Sequence, residues 1–420
     1  MLARALVVST LAVVVAAGPL AAQRGSPRRV QADIAFLAAD AREGRGVGTG
    51  GLEAAAEYIA REFARIGLTQ PSDSGFFQPF TIDSSAPAAA HSGLGGAAVK
   101  NVVGILPGRG ALAGQVVVLG AHYDHLGRGG RMVGSLDPDS VGVTHNGADD
   151  NASGSAALLE TARLLRGRLR GDRRTIVFVA FTAEEIGTIG SNYYVKHPVL
   201  PMDSTVVMLN FDMVGRLREQ KLLALGAETA PEFPHLLDSL NTTYRFDLRA
   251  SGDGWGRSDQ QEFYAVGIPV IHFFTDTHED YHRVTDDPET INADGLAMIA
   301  TYAADLTTAL ATRPERLTYI SIPRPAPVAA GARASLGTIP DMASSPGGVR
   351  LTGVREGSPA ATAGIQGGDI ITRIGEYEVK DLYDMQNALV KLSPGDVVDV
   401  VVRRGEETKT VRVTLGGGRE

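Results

Sequence analysis

The chain has 420 residues, with 40 Lys and Arg against 48 Asp and Glu, a formal charge of −8, and no cysteine. Domains of about 100–200 residues make two folded units the expectation, and a composition 44% hydrophobic and 21% charged is that of a globular protein. A mildly acidic chain without a basic block lacks the electrostatic footprint of a nucleic-acid binder. The absence of cysteine excludes disulfides, thiolate metal sites, thiol nucleophiles and lipid attachment at a cysteine.

At the start of the chain, Arg4, the apolar run 5–17, Gly18-Pro19 and the small residues Ala21-Ala22 read as an export signal cleaved after Ala22. The run is shorter than the ~20 apolar residues of a spanning helix, so the expectation is an exported protein, periplasmic or secreted, with no stable membrane anchor. Residues 52–66 carry apolar side chains at Leu52, Ala56, Ile59, Phe63 and Ile66, a helical stripe. Apolar strand patterns then follow at 101–106, 115–121, 175–181, 205–211, 221–225 and 268–274. Helical patterns at 153–168, 184–196, 231–240, 258–266 and 292–312 alternate with them. That alternation predicts an α/β unit with a mostly parallel central sheet and helices on both faces. Pro314, Pro323, Pro325 and Pro327 mark a linker over 313–330. Residues 331–418 read as a small β-rich domain with one longer helix at 381–392, which leaves 23–312 as the main domain.

Polar clusters stand where the strand patterns end: His122-Tyr-Asp124-His125, Asp149-Asp150 at a helix start, Glu184-Glu185, Asp212, and Asp280-Tyr-His282. Singly, each has an ordinary structural reading, as an N-cap, a helix-dipole partner, a turn residue or a core histidine. Together they fall at the carboxyl ends of the strands of one sheet, where α/β proteins gather ligands. The Gly-rich stretch 127–147 lacks the Gly-Lys-Ser/Thr of a phosphate loop. Imidazoles and carboxylates without sulfur suit zinc, with manganese or cobalt as substitutes. Two such ions about 3.5–4 Å apart can share a carboxylate, polarise a carbonyl and deliver a bound hydroxide. A further carboxylate must then carry the proton, and the adjacent Glu184 and Glu185 can divide those tasks.

In order and spacing, His122-x-Asp124, Gly-Ala-Asp149-Asp150-Asn-Ala-Ser-Gly, Glu184-Glu185-x-Gly-x-x-Gly-Ser, Asn-x-Asp212-Met and Asp-Tyr-His282 resemble the co-catalytic di-zinc exopeptidases. These are the bacterial leucyl and vacuolar aminopeptidases, in a family that also holds glutamate carboxypeptidase and the glutaminyl cyclases. The resemblance implies an aminopeptidase removing N-terminal residues from peptides. It implies His122, Asp149 and Asp212 on one zinc, Asp149 bridging, and Glu185 and His282 on the other. Glu184 would be the general base, Asp124 would orient His122, and the Asp149–Asp150 peptide would be cis. The family's alternatives are a single-zinc glutaminyl cyclase and a carboxypeptidase, for which Arg257 is the nearby basic residue. A binding protein with a decayed site is the non-enzymatic alternative. Where some members carry an oxyanion-supporting tyrosine, this sequence has Trp255, whose indole N–H is the available donor.

The segment with Leu336-Gly337-Thr338-Ile339, Gly-Ser-Pro-Ala-Ala-Thr-Ala-Gly364 and Gly368-Asp369-Ile-Ile resembles a circularly permuted bacterial PDZ domain. The resemblance implies capture of a peptide C-terminus by the 336–339 loop, with Met385 and Leu389 beside it, or else a purely structural cap.

Overall fold

In the computed structural model, residues 24–85, 92–129, 134–137, 140–256, 258–324, 334–341 and 347–417 are described. The expected export signal at 1–22, and Arg257, lie outside them.

Eight strands form one mixed sheet: β1 (Phe77–Thr81), β2 (Ala98–Leu106), β3 (Val116–His122), β4 (Thr175–Phe181), β5 (Thr205–Phe211), β6 (Lys221–Leu225), β7 (Asp247–Ser251) and β8 (Val270–Phe274). Their order is β1-β2-β4-β3-β5-β8-β6-β7. The centre, β4-β3-β5-β8, is parallel throughout, while β2 and β6 flank it in antiparallel register. Every residue of β3, β4 and β5 is buried, in keeping with the continuous apolar stretches 116–119, 176–181 and 206–209. One face is covered by helices α1 (Pro27–Leu37), α2 (Gly50–Ile66), α3 (Gly154–Arg168), α5 (Phe233–Tyr244) and α7 (Ala293–Thr312), through a core containing Phe63, Leu158, Phe233 and Tyr302. The other is covered by α4 (Ile189–Lys196) and α6 (Gln260–Tyr264), through Tyr194, Phe263 and Tyr264.

Strands β4, β5 and β6 begin and end where the sequence pattern places them. Differences sit where polar chemistry overrides periodicity. The expected helix at 184–196 begins only at Ile189, because Ala183 and Thr188 adopt left-handed backbone angles and turn the chain through Glu184 and Glu185. Helix α1 and the edge strands β1 and β7 carry weaker patterns and were not expected.

The second unit has its own core, with Leu336, Leu351, Ile371, Val400 and Val413. Its main sheet runs β10 (Thr338–Pro340), β11 (Val349–Val354), β12 (Ile370–Ile374), β14 (Val397–Arg404), β15 (Glu407–Thr414), with β13 (Tyr377–Glu378) on β12. A separate ribbon pairs β9 (Ala334–Ser335) with β16 (Gly416–Gly417), and helices α8 (Pro359–Thr362) and α9 (Leu382–Val390) complete the unit. Met385 of α9 belongs to this core and Leu389 packs against it.

The first part of the expected linker is docked. The Tyr264 hydroxyl donates to the Ile320 carbonyl at 3.0 Å and accepts from the Ile322 N–H at 2.7 Å, while the buried Arg174 donates to the Arg313, Pro314 and Glu315 carbonyls. The main unit therefore extends to about Ile322, ten residues beyond the end of α7 at Thr312.

Candidate active site

The parallel strands deliver the polar clusters to one edge. β3 ends at His122, the chain after β4 turns through Glu184-Glu185, β5 runs into Asp212, and the loop after β8 brings His282 back. The Asp149-Asp150 segment enters ahead of α3 through a wound turn at Ala148–Ser153, where Asp150 and Asn151 leave helical angles and their peptide bond is cis. Only glycine fits at Gly147: a Cβ there would lie 2.2 Å from the Asp150 carbonyl and 2.4 Å from the His125 ring.

Asp150, rather than Asp149, stands between the two halves of the cluster. Its Oδ1 is 3.3 Å from His122 Nε2, and its Oδ2 is 3.1 Å from His282 Nε2. On one side Asp212 Oδ1 also lies 3.3 Å from His122 Nε2; on the other Glu185 Oε2 lies 3.1 Å from His282 Nε2. The expectation for Asp149 is thus corrected by one residue, and so is the expected cis bond, which joins Asp150 to Asn151. Asp149 is already committed, accepting from the Gly215 N–H at 2.7 Å while its other oxygen is 3.0 Å from His278 Nε2. Consecutive residues point in different directions, and the twist at Asp150 sends only its carboxylate inward.

Asp124 also acts differently from expectation. Its carboxylate is 3.7 Å from His122 Nδ1, beyond hydrogen-bond range, and the ring nitrogen is nearer the Asp124 carbonyl at 3.2 Å. The carboxylate instead accepts the N–H groups of Glu184 at 3.1 Å and Glu185 at 3.3 Å, so it holds the turn that carries both glutamates. Trp255 does not face the site: its indole N–H donates to the Ile322 carbonyl at 2.8 Å.

Several participants had not been assigned from sequence. His125 Nδ1 lies 2.6 Å from Glu185 Oε1 and 3.9 Å from Asp150 Oδ2. Its position beside His122 and Asp124 was the available signal. Asp286 accepts the N–H groups of Asp149 and Asp150 at about 3.0 Å and fixes the turn from outside. The Tyr281 ring stacks on His282 with centroids 3.9 Å apart. Asp259 is fully buried, and burial raises its carboxyl to about 7.

The electrostatics are those of a cation site. Burial opposes charge on His122, yet the Asp212 and Glu184 carboxylates outweigh it and hold the imidazole well above its ordinary value. Burial also disfavours ionised Asp150, but its contacts to His122 and His282 pull it well below the usual carboxylate range. For Glu185, burial and Asp150 act upward while His282 and His125 bring it down to about 2. Glu184 goes the other way: burial, with Glu185 and Asp212 adding to it, raises its carboxyl well above normal despite His122. Burial and the charges of Asp150, Glu185, Glu184 and Asp212 likewise hold the Tyr281 phenol protonated, well above its ordinary value.

A metal fits these residues. Among the described residues, His122, Asp150 and Asp212 form one potential ligand set, and His125, Asp150 and Glu185 another. His122 Nε2 and Asp212 Oδ1 are buried without a hydrogen-bond partner. Metal–ligand bonds of about 2.0–2.1 Å at tetrahedral angles separate ligand atoms by about 3.3 Å, and the distances around Asp150 are 3.1–3.3 Å. Glu184 belongs to neither set, with its Oε2 3.8 Å from His122 Nε2.

Comparison with known proteins agrees with this architecture. The profile of peptidase family M28 matches residues 101–307, and that of the PDZ domain matches residues 334–415. Aminopeptidase YwaD of Bacillus subtilis (strain 168) is 30% identical over 220 residues, 50% of this chain and 43% of that protein. Leupeptin-inactivating enzyme 1 of Streptomyces exfoliatus is 27% identical over 248 residues, 58% of this chain and 47% of that one. The chain therefore spans less than half the length of these relatives. The serine protease Do-like HtrA of Lactococcus lactis subsp. cremoris (strain MG1363) is 41% identical over 69 residues, 16% of this chain and 17% of that one. The fold is shared with a solved Zn-dependent exopeptidase from Parabacteroides distasonis (TM-score 0.55, 20% identity, covering 68% of this chain and 99% of that one). A glutaminyl cyclase from Bacteroides thetaiotaomicron shares it equally (TM-score 0.55, 17% identity, covering 68% and 99%). The segment that holds the strands building the site, residues 101–307, thus matches peptidase family M28, and a PDZ domain at residues 334–415 follows it.

Proposed function

We propose that the protein is a two-metal aminopeptidase that removes N-terminal residues from peptides. The observation that carries this reading is the position of Asp150 between His122 with Asp212 on one side and Glu185 with His282 on the other, at separations of 3.1–3.3 Å. His122, Asp150 and Asp212 would hold one zinc; Asp150, Glu185 and His282 would hold the other. His125, already hydrogen-bonded to Glu185, would orient that ligand from behind. Manganese or cobalt would satisfy the same donors.

When bound, two such ions supply Lewis acidity at the scissile carbonyl and lower the pKa of water. The chain's own residues supply the remainder. Glu184, half-buried near His122 and committed to neither set, accepts a proton from the attacking water and returns it to the amine as the C–N bond breaks. The protonated Tyr281 hydroxyl, on the ring stacked against His282, donates to the oxyanion, the part Trp255 is not placed to play. In the PDZ unit, β10 lies at the sheet edge and offers a surface for a peptide with a free C-terminus. The signal pattern at 1–22 supports export to the periplasm or medium.

Purified protein assayed with aminoacyl reporters and N-blocked peptides, with and without chelator, tests the reading. Expected are close to two zinc equivalents per chain, hydrolysis of free-N-terminus substrates only, and loss of activity on chelation. One firm zinc equivalent supporting cyclisation of N-terminal glutamine would favour the cyclase reading. Efficient cleavage of N-blocked peptides would favour a carboxypeptidase.

A further inference from the structure

Arg45 comes from the short helical turn Asp40–Arg45, ahead of the segment matched by the peptidase family profile. It is fully buried, and its guanidinium is committed to backbone carbonyls. Nε donates to Tyr123 at 2.8 Å, Nη1 to Leu37 at 2.8 Å and Asn146 at 2.7 Å, and Nη2 to Gly147 at 2.7 Å. The Arg45 carbonyl in turn accepts the His125 N–H at 3.2 Å. Tyr123 lies between His122 and Asp124; Asn146 and Gly147 open the turn that aims Asp150. A single rigid fork thus spans the end of β3 and the loop before α3, the two segments whose separation sets the distance from His122 to Asp150.

We propose that Arg45 is a positioning residue of the metal centre, fixing the spacing between the His122 strand end and the Asp150 turn. A planar guanidinium with five donors in fixed geometry can hold carbonyls from separate segments at once, while a lysine ammonium cannot reproduce that fork. The carboxylates of Asp150, Asp124, Asp286 and Glu185 act electrostatically on Arg45, so the cation also offsets part of the clustered negative charge. Burial lowers the guanidinium to about 10, and it remains charged at neutral pH. The neighbouring turn leaves little freedom: a Cβ on Gly44 would lie 2.3 Å from the Gly127 carbonyl.

The inference rests on the metal-centre reading, and its test uses a matched control. Arg174 is equally buried and also donates to carbonyls, among them Leu310 at 2.7 Å, but it precedes β4, at the sheet edge opposite the site. Arg45→Lys and Arg174→Lys are compared with wild type in the full chain for zinc affinity by chelator competition, thermal stability of the stripped protein, and kcat and KM at saturating zinc. Both substitutions are expected to lower stability. Only Arg45→Lys is expected to weaken zinc binding, by ~10–100-fold as for other residues that orient ligands, with kcat lowered and KM within about twofold of wild type. If Arg45→Lys does not fold, Arg45→Gln enters the same comparison. Zinc affinity unchanged in the folded Arg45 variant, or weakened equally by Arg174→Lys, overturns the inference while leaving the metal centre standing. Wild-type protein that holds no zinc overturns both.

Discussion

The neighbouring carboxylates Asp149 and Asp150 allow a sharp experiment, since they differ by one position and by everything they touch. Asp149→Asn keeps an oxygen acceptor for the Gly215 N–H, 2.7 Å away, loses the charge, and sets an amide NH2 donor opposite His278 Nε2 in place of the second oxygen. Exchanging a charge-assisted hydrogen bond for a neutral one costs about 1 kcal/mol, so two such contacts place the loss at about 2 kcal/mol of stability, with both ligand sets intact. Asp150→Asn removes an anionic oxygen from both sets at once, the one 3.3 Å from His122 and the one 3.1 Å from His282. A residue that merely orients a ligand is worth ~10–100-fold in affinity. A direct ligand shared by two ions should cost at least that at each, ~10²–10⁴-fold overall. Zinc content after gel filtration, with turnover of an aminoacyl reporter, reads both variants. Asp149→Asn is expected to melt earlier but retain metal and most activity, and Asp150→Asn to lose both metal and turnover. The reverse pattern would refute the assignment of Asp150 and restore the bridging role that the motif alone suggests for Asp149.

Glu184→Gln, which keeps shape but cannot take a proton, should lower turnover by ~10²–10⁴-fold with zinc retained in elemental analysis; near-wild-type rates would pass the proton to another group. Tyr281→Phe should lower kcat by ~10²–10³-fold with little change in KM, and an equal loss in KM alone would make the tyrosine a binding residue. The pH dependence follows from the perturbed groups. Glu184, Asp259, His122 and His282 are all raised in the folded state, so each favours the protonated fold and withdraws stability as pH rises from its unfolded toward its folded value. The depressed Asp150 and Glu185 act only at acid pH, well below neutrality. Metal-stripped protein should therefore melt lower at pH 8 than at pH 6, with zinc reversing the trend because it needs neutral imidazoles; a flat profile in both forms would contradict this electrostatic account. A chain stopped after Arg324 keeps the docked Ile320 and Ile322. It should hydrolyse a single aminoacyl reporter normally but show raised KM for long peptides with free apolar C-termini. Equal KM values for such peptides would leave the PDZ unit as a structural cap.

Much of the fold was legible because its centre is buried on both faces. Strands β4 and β5 are runs in which every residue is enclosed, so hydrophobicity alone delimits them. Strands β1 and β7 are partly exposed and contain Gln78, Pro79, Arg249 and Ser251, and a half-solvated edge imposes little pattern on its sequence. The docking of the proline-rich segment is hidden for a related reason. Proline composition sets local stiffness but carries no record of Ile320 and Ile322 bonding to a tyrosine more than fifty residues earlier.

The site divides along a similar line. Residue types and spacing brought the right segments together, because a parallel sheet places successive strand ends at one edge whatever the loop details. They did not resolve which aspartate of the pair points inward, since the decision lies in the backbone: Asp150 at φ −102° and ψ 95° and Asn151 at φ −132° and ψ 44°, inside a turn otherwise wound like a helix. Those angles are imposed by residues far away in sequence. Asp286 holds two N–H groups of the turn, Arg45 holds the carbonyls of Asn146 and Gly147 ahead of it, and Asn151 donates to the Phe211 carbonyl at 2.9 Å. Asp124 does the same for the glutamate turn, through N–H groups rather than through the histidine it was expected to orient. The ligand atoms are thus aimed by buried polar side chains that bind backbone. Such a side chain has no fixed spacing from the residue it positions, because its partner is a peptide group that every sequence possesses. A motif therefore names the segments of this centre, while the register within each segment is set by Arg45, Asp124, Asn151 and Asp286. Exchanging a ligand should remove a metal outright, whereas loosening one of these four should misplace it, which is a loss of affinity and rate in a site whose ligands are all still present.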